Sequence, residues 1–277
     1  MNSKNENGLD KIGKPISLQL MLENDINTLH SFSGENHLDT NKSIHKMRKS
    51  LKSISAILLL YKVQFDQSQY LSSKFFIKFL SKQFGVVREP YVYLQTFNQI
   101  EDKLKDFDNS NLDELRCQLE LQYNLIVKDI KIDKERIQQG NESIVKLTET
   151  LNNFHVNFKY KPLKRRLLIS FQKSKRLFKM LNLNSTAGEY HAFRKWCKIY
   201  YFQQAALNRI GSVKTSRKNK KLFKLTEYLG KEHDLQLFYQ YLTAHFPELS
   251  QLSEALFRLK IKRIRKKVLM LYPKISY

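Results

Sequence analysis

The chain is poor in the residues that make turns. Glycine occurs 8 times and proline 5 times in 277 residues, and both are common in β-turns and hairpin loops. A protein built from many short strands needs such turns, so their scarcity argues against a β-sandwich or a β-barrel. Long stretches instead repeat apolar residues with the 3.6-residue period of a helix, which predicts an all-α fold.

Cysteine and long apolar runs are also scarce. Cys117 and Cys197 are the only cysteines. They supply neither a disulfide framework nor the spacing of a zinc site, so a reducing, cytoplasmic setting is expected. No run reaches the roughly 18 uncharged apolar residues that suggest a spanning helix. The polar start "MNSKNENGLDKIGK" lacks the apolar core of a signal peptide. We therefore expect no membrane span.

The signatures of common catalytic sites are missing. The sequence contains no Walker-type phosphate loop, no H-E-x-x-H zinc motif and no G-x-S-x-G nucleophile elbow. The pair His233 and Asp234 could belong to a metal-dependent phosphohydrolase, but the other histidines show no ligand spacing around it. We therefore expect no catalytic residues, no metal site and no cofactor, in a protein that is not an enzyme.

Acidic residues are few in the second half of the chain. The net charge is +23, and residues 151–277 hold 28 Lys and Arg against 6 Asp and Glu. Such an excess of one charge repels itself unless a polyanion relieves it. The composition leaves three classes of partner, which are nucleic acid, an anionic membrane surface and a phosphate polymer.

Two segments share one basic pattern. "IHKMRKSLKSISAILLLYK", from residue 44, and "HAFRKWCKIYYFQQAAL", from residue 191, both contain H-x-x-R-K-x-x-K. On a helix each pattern forms a cationic stripe opposite an apolar side that includes Met47 or Phe193. The first stripe is His45, Arg48, Lys49 and Lys52, and the second stripe is His191, Arg194, Lys195 and Lys198. A solvated lysine-rich face is the alternative interpretation, although no acid lies between Asp39 and Asp66 to neutralise the first stripe.

The two stripes belong to an internal repeat. Each member of the second stripe lies 146 positions after its counterpart in the first. Gly85 and Gly230 are 145 positions apart, and so are Glu89 and Asp234. We interpret this as a duplication. Each glycine is expected to end a helix in the left-handed conformation, and each acid to cap the next helix or to orient a stripe residue.

The paired stripes, each followed by an L-G-x-x-x-D-like turn, resemble the CHAD family, the conserved histidine α-helical domain. The resemblance runs from about residue 15 to about residue 272. It implies a helical bundle of two duplicated four-helix halves related by a pseudo-two-fold axis, with the halves at about 15–150 and 151–277 and a polar tail at 1–14. It also implies a basic surface or pore that binds inorganic polyphosphate through the two stripes.

The sequence departs from the family pattern at a few positions. Ser55 stands where the first motif often carries Arg, Glu89 replaces the usual Asp, and Thr226 stands where Gln is common. These changes weaken the first site more than the second. Some relatives are fused to a triphosphate-tunnel enzyme marked by an E-x-E-x-K strand, which this sequence lacks. We expect a stand-alone member.

A third basic helix precedes the second stripe directly. In "YKPLKRRLLISFQKSKRLFKML" the cations occupy the side opposite the apolar residues. The members predicted to extend the polyphosphate-binding surface are Arg165, Arg166, Lys173 and Arg176. A solvated outer face is the alternative. Whether a basic loop near Lys214 and the C-terminal basic helix join the site is left open.

Two binding functions compete for this charge. Polyphosphate has no bases to stack, so its receptor needs dense Arg and Lys donors on rigid helices. Binders of single-stranded nucleic acid interleave aromatic residues with cations, whereas the aromatic residues of both motif helices mostly lie on the apolar side. We predict non-enzymatic binding of inorganic polyphosphate, with polyphosphate granules as a candidate partner. The alternatives are a basic helical protein that binds nucleic acid non-specifically, as expected weakly at low salt, and a membrane-surface adaptor.

Overall fold

The computed structural model describes residues 16–32, 41–105, 110–132, 134–154, 157–158, 160–209 and 217–275. These residues form ten α-helices: α1 (Leu18–Phe32), α2 (Asn41–Tyr61), α3 (Gln67–Gln83), α4 (Gly85–Leu104), α5 (Ser110–Ile132), α6 (Lys134–Asn152), α7 (Tyr160–Met180), α8 (Ala187–Arg209), α9 (Arg217–His245) and α10 (Pro247–Leu271). Two short strands, β1 (Ile16–Ser17) and β2 (Asn157–Phe158), pair antiparallel. A 3₁₀ turn at Tyr272–Lys274 follows α10.

The predicted all-α fold is confirmed, although the described residues contain ten helices where eight were expected. The predicted tail at residues 1–14 and the basic loop residue Lys214 lie outside the described residues. The division into two duplicated halves stays a prediction. Among the described residues, no helix combines the length and the apolar character needed to cross a lipid bilayer.

The two motif helices lie in the larger hydrophobic core. The apolar side of α2 buries Met47 and Leu51, and that of α8 buries Phe193 and Tyr200. The helices also contact each other directly, because the buried side chain of Gln203 donates to the carbonyl of Ala56 at 2.9 Å. Since the apolar sides face the core, the two stripes are left on other faces of their helices.

Four helices form a closed ring of neighbours. α2 packs against α8, α8 against α9, α9 against α4, and α4 against α2. A second hydrophobic cluster holds α4 and α9 together with α5 and α10, and its members include Phe97, Leu115, Phe238 and Phe257. This ring positions the functional site, because both stripes and the acid at Asp234 lie on helices that belong to it.

The predicted helix-ending role is wrong for Gly230, and Gly85 takes the predicted position after the C-cap of α3 but not the predicted left-handed conformation. α3 ends at Gln83 and α4 begins at Gly85, which is not in the left-handed region. α9 runs through Gly230 without a break, so Asp234 lies within this helix and caps nothing. A Cβ at Gly85 would lie 2.9 Å from Nη1 of Arg48, so this glycine leaves room for the guanidinium. Nothing in the structure explains Gly230.

Candidate functional site

The charges of each stripe lower pKa values in the other stripe. Lys198 and Arg194 of the second stripe lower the pKa of Lys52 in the first, after the larger effect of burial. Lys198 also lowers the pKa of His45, where burial is again the main cause. In the other direction Lys52 lowers the pKa of His191, after burial and after the neighbouring cations. Charges affect each other in this way only when they are close. The fold therefore brings the two stripes to one place.

We name this place the basic groove. Its members are His45, Arg48 and Lys52 of α2, Arg88 of α4, His191, Arg194 and Lys198 of α8, and His233 and Asp234 of α9. Lys52 is exposed to solvent, yet burial is the main cause that lowers its pKa to about 7. A side chain that water reaches and protein surrounds lies in a concave place. Lys198 is half-buried, and the same main cause lowers its pKa to about 8.

The remaining stripe members lie at the edge of the groove. Lys49 and Lys195 are exposed. Lys49 lowers the pKa of His45 and of Lys198, and Lys195 lowers that of His191, in each case after larger causes headed by burial. All eight residues of the two stripes are thus in or beside one groove.

Three histidines of the groove are poor bases in the absence of a ligand. Burial lowers the pKa of His45 and of His191, and nearby cations lower both further. The ring of His233 lies 5.0 Å from that of His191, between centroids. Burial, followed by the charge of Arg194, lowers the pKa of His233 to about 4. These imidazoles are therefore mainly neutral at neutral pH, and each can still donate one N–H bond.

Arg48 and Arg194 hold the same place in their stripes but have different partners. Nη1 of Arg48 donates to the carbonyl of Ser81 at 2.6 Å, in the last turn of α3. Arg136 serves the same helix end through a 2.9 Å bond to the carbonyl of Gln83. Such terminal carbonyls have no partner within their helix. In contrast, Nε of Arg194 is buried and has no hydrogen-bond partner among the described residues. Arg194 therefore keeps one unpaired donor beside the groove.

Two basic members were missed from the sequence. Arg88 is the strongest of the charges that lower the pKa of His45 and of Arg48, and His233 contacts His191. The repeat itself could have identified them. Arg88 directly precedes Glu89, and His233 directly precedes Asp234, so both follow the same displacement of 145 positions.

Asp234 brings a negative charge among these cations. Burial raises its pKa, while Arg194, Lys198, Arg88 and Lys52 act to lower it. These four cations come from α8, α4 and α2, so the carboxylate is shared by the helices around the groove. It acts as an internal counter-ion. The counterpart acid Glu89 is exposed and accepts a 3.0 Å bond from the hydroxyl of Tyr93.

A buried ion pair fixes α9 beside the groove. Arg265 of α10 donates through Nε and Nη2 to the same Glu232 oxygen, at 3.0 and 2.7 Å. Its Nη1 donates to the carbonyl of Ser185 at 2.6 Å, and the guanidinium lies 4.2 Å from the ring centroid of Tyr190. Since Glu232 directly precedes His233, this network positions α9. The described residues contain no group of three or more His, Cys, Asp or Glu that could hold a metal.

The basic side of α7 contacts α8 at Trp196, which is not a member of the second stripe. Lys173 places its ammonium 4.3 Å from the ring centroid of Trp196. Trp196 lies about 150° around α8 from the middle of the second stripe, at about 100° per residue. Lys173 therefore lies outside the basic groove, and whether it extends the polyphosphate-binding surface stays a prediction. Arg165, Arg166 and Arg176 share the arc of Lys173 on α7, and their part in ligand binding stays a prediction.

The exposed cations of α10 also face away from the groove. Phe257, Ile261 and Val268 form the buried side of this helix, and Lys262, Arg263, Lys266 and Lys267 are exposed on other faces. Arg265, which points inward, forms an ion pair with Glu232.

The basic groove gathers guanidinium and ammonium donors around a concave space. Such an arrangement can bind phosphate oxygens.

Comparisons with known proteins agree with this architecture. The family model of the CHAD domain matches residues 21–263. The crystal structure of the CHAD domain from the plant Ricinus communis superposes with a TM-score of 0.58 at 14% identity, covering 95% of this chain and 90% of that chain. PptA from Streptomyces chartreusis superposes with a TM-score of 0.69 at 12% identity, covering 93% of this chain and 99% of that chain. No curated protein matches the sequence.

Proposed function

This chain belongs to the CHAD domain family, and from that membership and the geometry of the groove we propose that it binds inorganic polyphosphate and does not act as an enzyme. The observation that carries the proposal is the meeting of two H-x-x-R-K-x-x-K stripes, 146 positions apart, in one groove. A polymer that contacts both stripes gains from their high effective concentration.

The state of the donors supports a phosphate ligand. Nε of Arg194 is buried without a partner, which costs about 1–3 kcal/mol until an acceptor takes a hydrogen bond from this N–H. Burial is the main cause that lowers the pKa of Lys52 and of Lys198, and nearby cations, led by Lys198 for Lys52 and by Arg194 for Lys198, lower both further. A chain of adjacent phosphates supplies counter-charge to these cations at high density.

The placement of aromatic residues favours polyphosphate over nucleic acid. Phe193 and Tyr200 are fully buried in the core, and Trp196 is covered by Lys173. These three aromatic residues therefore offer bases no free stacking platform, whereas stacking on such platforms is a main contribution in single-strand binding. Non-specific binding of nucleic acid at low salt remains the alternative function.

The cellular setting is part of the proposal. Cys197 is buried and Cys117 is exposed, and both are free thiols, as expected of a reducing compartment. We propose a cytoplasmic setting, with polyphosphate granules as the candidate partner.

Binding of labelled polyphosphate at near-physiological salt tests the function. The double variant Arg48→Gln/Arg194→Gln should lose more affinity than either single variant. The matched control Lys74→Gln/Lys78→Gln removes the same charge from exposed positions of α3 and should change affinity only slightly. Unlabelled DNA should displace polyphosphate poorly at equal total charge. Equal losses in the two double variants, or equal displacement by DNA, would leave only a generic basic protein.

A further inference from the structure

The outward side of α10 carries a line of exposed apolar side chains. Leu252, Leu259 and Met270 are 51%, 48% and 59% exposed. At about 100° per residue they lie within about 20° of one line along the helix, over about 27 Å. This line is opposite the side that buries Phe257 and Ile261. These side chains are seven and eleven residues apart, so they form no continuous apolar patch, and a partner must also match the residues between them.

Cations flank this line throughout its second half. The exposed cations on or beside it are Lys262, Arg263, Lys266 and Lys267. No acid occurs from Ala255 to the last residue of the chain. We name these cations, together with Leu252, Leu259 and Met270, the outer strip of α10.

The basic character continues onto the neighbouring helix. The ammonium groups of Lys267 on α10 and Lys224 on α9 lie 5.6 and 5.8 Å from the ring centroid of Tyr228. The cationic surface is thus wider than one helix.

We propose that the outer strip of α10 binds the anionic headgroup layer of a lipid membrane. An amphipathic helix that lies in this layer inserts apolar side chains among the acyl chains while its cations meet the lipid phosphates. A soluble polyanion offers nothing apolar to cover Leu259 and Met270. A partner helix would need apolar contacts at every turn, but Arg263 and Lys266 interrupt the line between them.

The strip is independent of the polyphosphate site. Its exposed cations lie on the outer side of α10, whereas the groove is formed by residues of α2, α4, α8 and α9. One face of the molecule can therefore rest on a membrane while the groove holds a polymer. Failure of polyphosphate binding would not affect this inference.

Sedimentation with vesicles tests the proposal on the full chain. Wild-type protein should bind vesicles of phosphatidylglycerol and phosphatidylcholine at moderate salt, and should not bind pure phosphatidylcholine. Leu259→Ser/Met270→Ser should weaken this binding roughly tenfold. The charge variant Lys262→Gln/Lys266→Gln should weaken it at least as much, and it keeps the test decisive if the first variant fails to fold.

The matched control is Leu71→Ser/Phe75→Ser on α3, where the two side chains are 52% and 64% exposed beside lysines. It should retain vesicle binding. The groove variant Arg48→Gln/Arg194→Gln should also retain vesicle binding. The proposal is overturned if anionic vesicles do not bind, or if the α3 variant or the groove variant loses binding as strongly as the α10 variants.

Discussion

Lys52 and Lys198 hold the same position in the two stripes, 146 residues apart, and the pKa of Lys52 is lowered by burial and next by the charge of Lys198. The buried contact between Ala56 and Gln203 spans 147 positions. Both pairs join nearly equivalent points of the two motif helices, as expected if a pseudo-two-fold axis passes between α2 and α8. Superposition of residues near 40–100 on residues near 186–245 tests this symmetry, and His45 should fall on His191.

The first prediction concerns protons. Lys52 and Lys198 have pKa values of about 7 and 8 because of burial and of their cationic neighbours. A bound anion favours the charged form and raises both values. Polyphosphate should therefore be accompanied by proton uptake near pH 8, and its affinity should fall as pH rises from about 7 to about 9. Calorimetry in buffers of different ionisation enthalpy measures the uptake.

The control variant for that prediction keeps the positive charges at positions 52 and 198 but replaces the ammonium groups that titrate near pH 7 to 8. Lys52→Arg/Lys198→Arg carries guanidinium groups that stay protonated over this range. Its polyphosphate affinity should change little between pH 7 and 9. A pH dependence equal to that of the wild type would assign the protons to other groups.

The second prediction separates Arg48 from Arg194. Arg48→Gln loses the bond to the carbonyl of Ser81, and such charged hydrogen bonds are worth about 1.5–3 kcal/mol. We expect a drop in unfolding free energy of that order and a moderate loss of polyphosphate affinity. Arg194→Gln removes a donor with an unpaired Nε, so stability should hold or rise while affinity falls more. Urea denaturation and binding titration distinguish the two effects, and the reverse ranking of affinities contradicts the assignment.

The stripes could be read from the sequence because they depend only on helical period and spacing. The H-x-x-R-K-x-x-K patterns at 45–52 and 191–198 place cations on one side of any helix. The joining of the stripes could not be read in this way, because it depends on how α2 packs against α8. Arg88 lies on α4, across the ring rather than along a stripe, so only its place directly before Glu89 in the repeat could have indicated it.

The repeat also gave a false expectation where its two copies fold differently. The first copy divides into α3 and α4 at Phe84, whereas the second is the continuous helix α9. A single glycine inside a helix costs only about 1 kcal/mol relative to alanine, so packing can carry α9 through Gly230. A glycine at the same position of the two copies therefore has two different roles. Sequence spacing alone does not distinguish these roles.

The third prediction uses these two glycines as a matched pair. Gly85→Ala should push the guanidinium of Arg48 away from Ser81, because the new Cβ would lie 2.9 Å from Nη1. The unfolding free energy should fall by about 1 kcal/mol or more. Gly230→Ala meets nothing within 4 Å and should stabilise the helix interior by roughly 0.5–1 kcal/mol. Equal effects of the two substitutions in urea denaturation would show that Arg48 does not require the space at Gly85.

The last prediction concerns Asp234, which lies among Arg194, Lys198, Arg88 and Lys52. In the absence of a ligand its carboxylate offsets their mutual repulsion, but in the complex it repels phosphate. Asp234→Asn keeps the shape and removes the charge. Thermal unfolding should therefore begin at a lower temperature without polyphosphate, and added polyphosphate should raise the unfolding temperature by more than it does in the wild type. Glu89→Gln, at the exposed counterpart position, should change both temperatures less. If Asp234→Asn instead weakens polyphosphate binding, the carboxylate orients the cations for the ligand and does not compete with it.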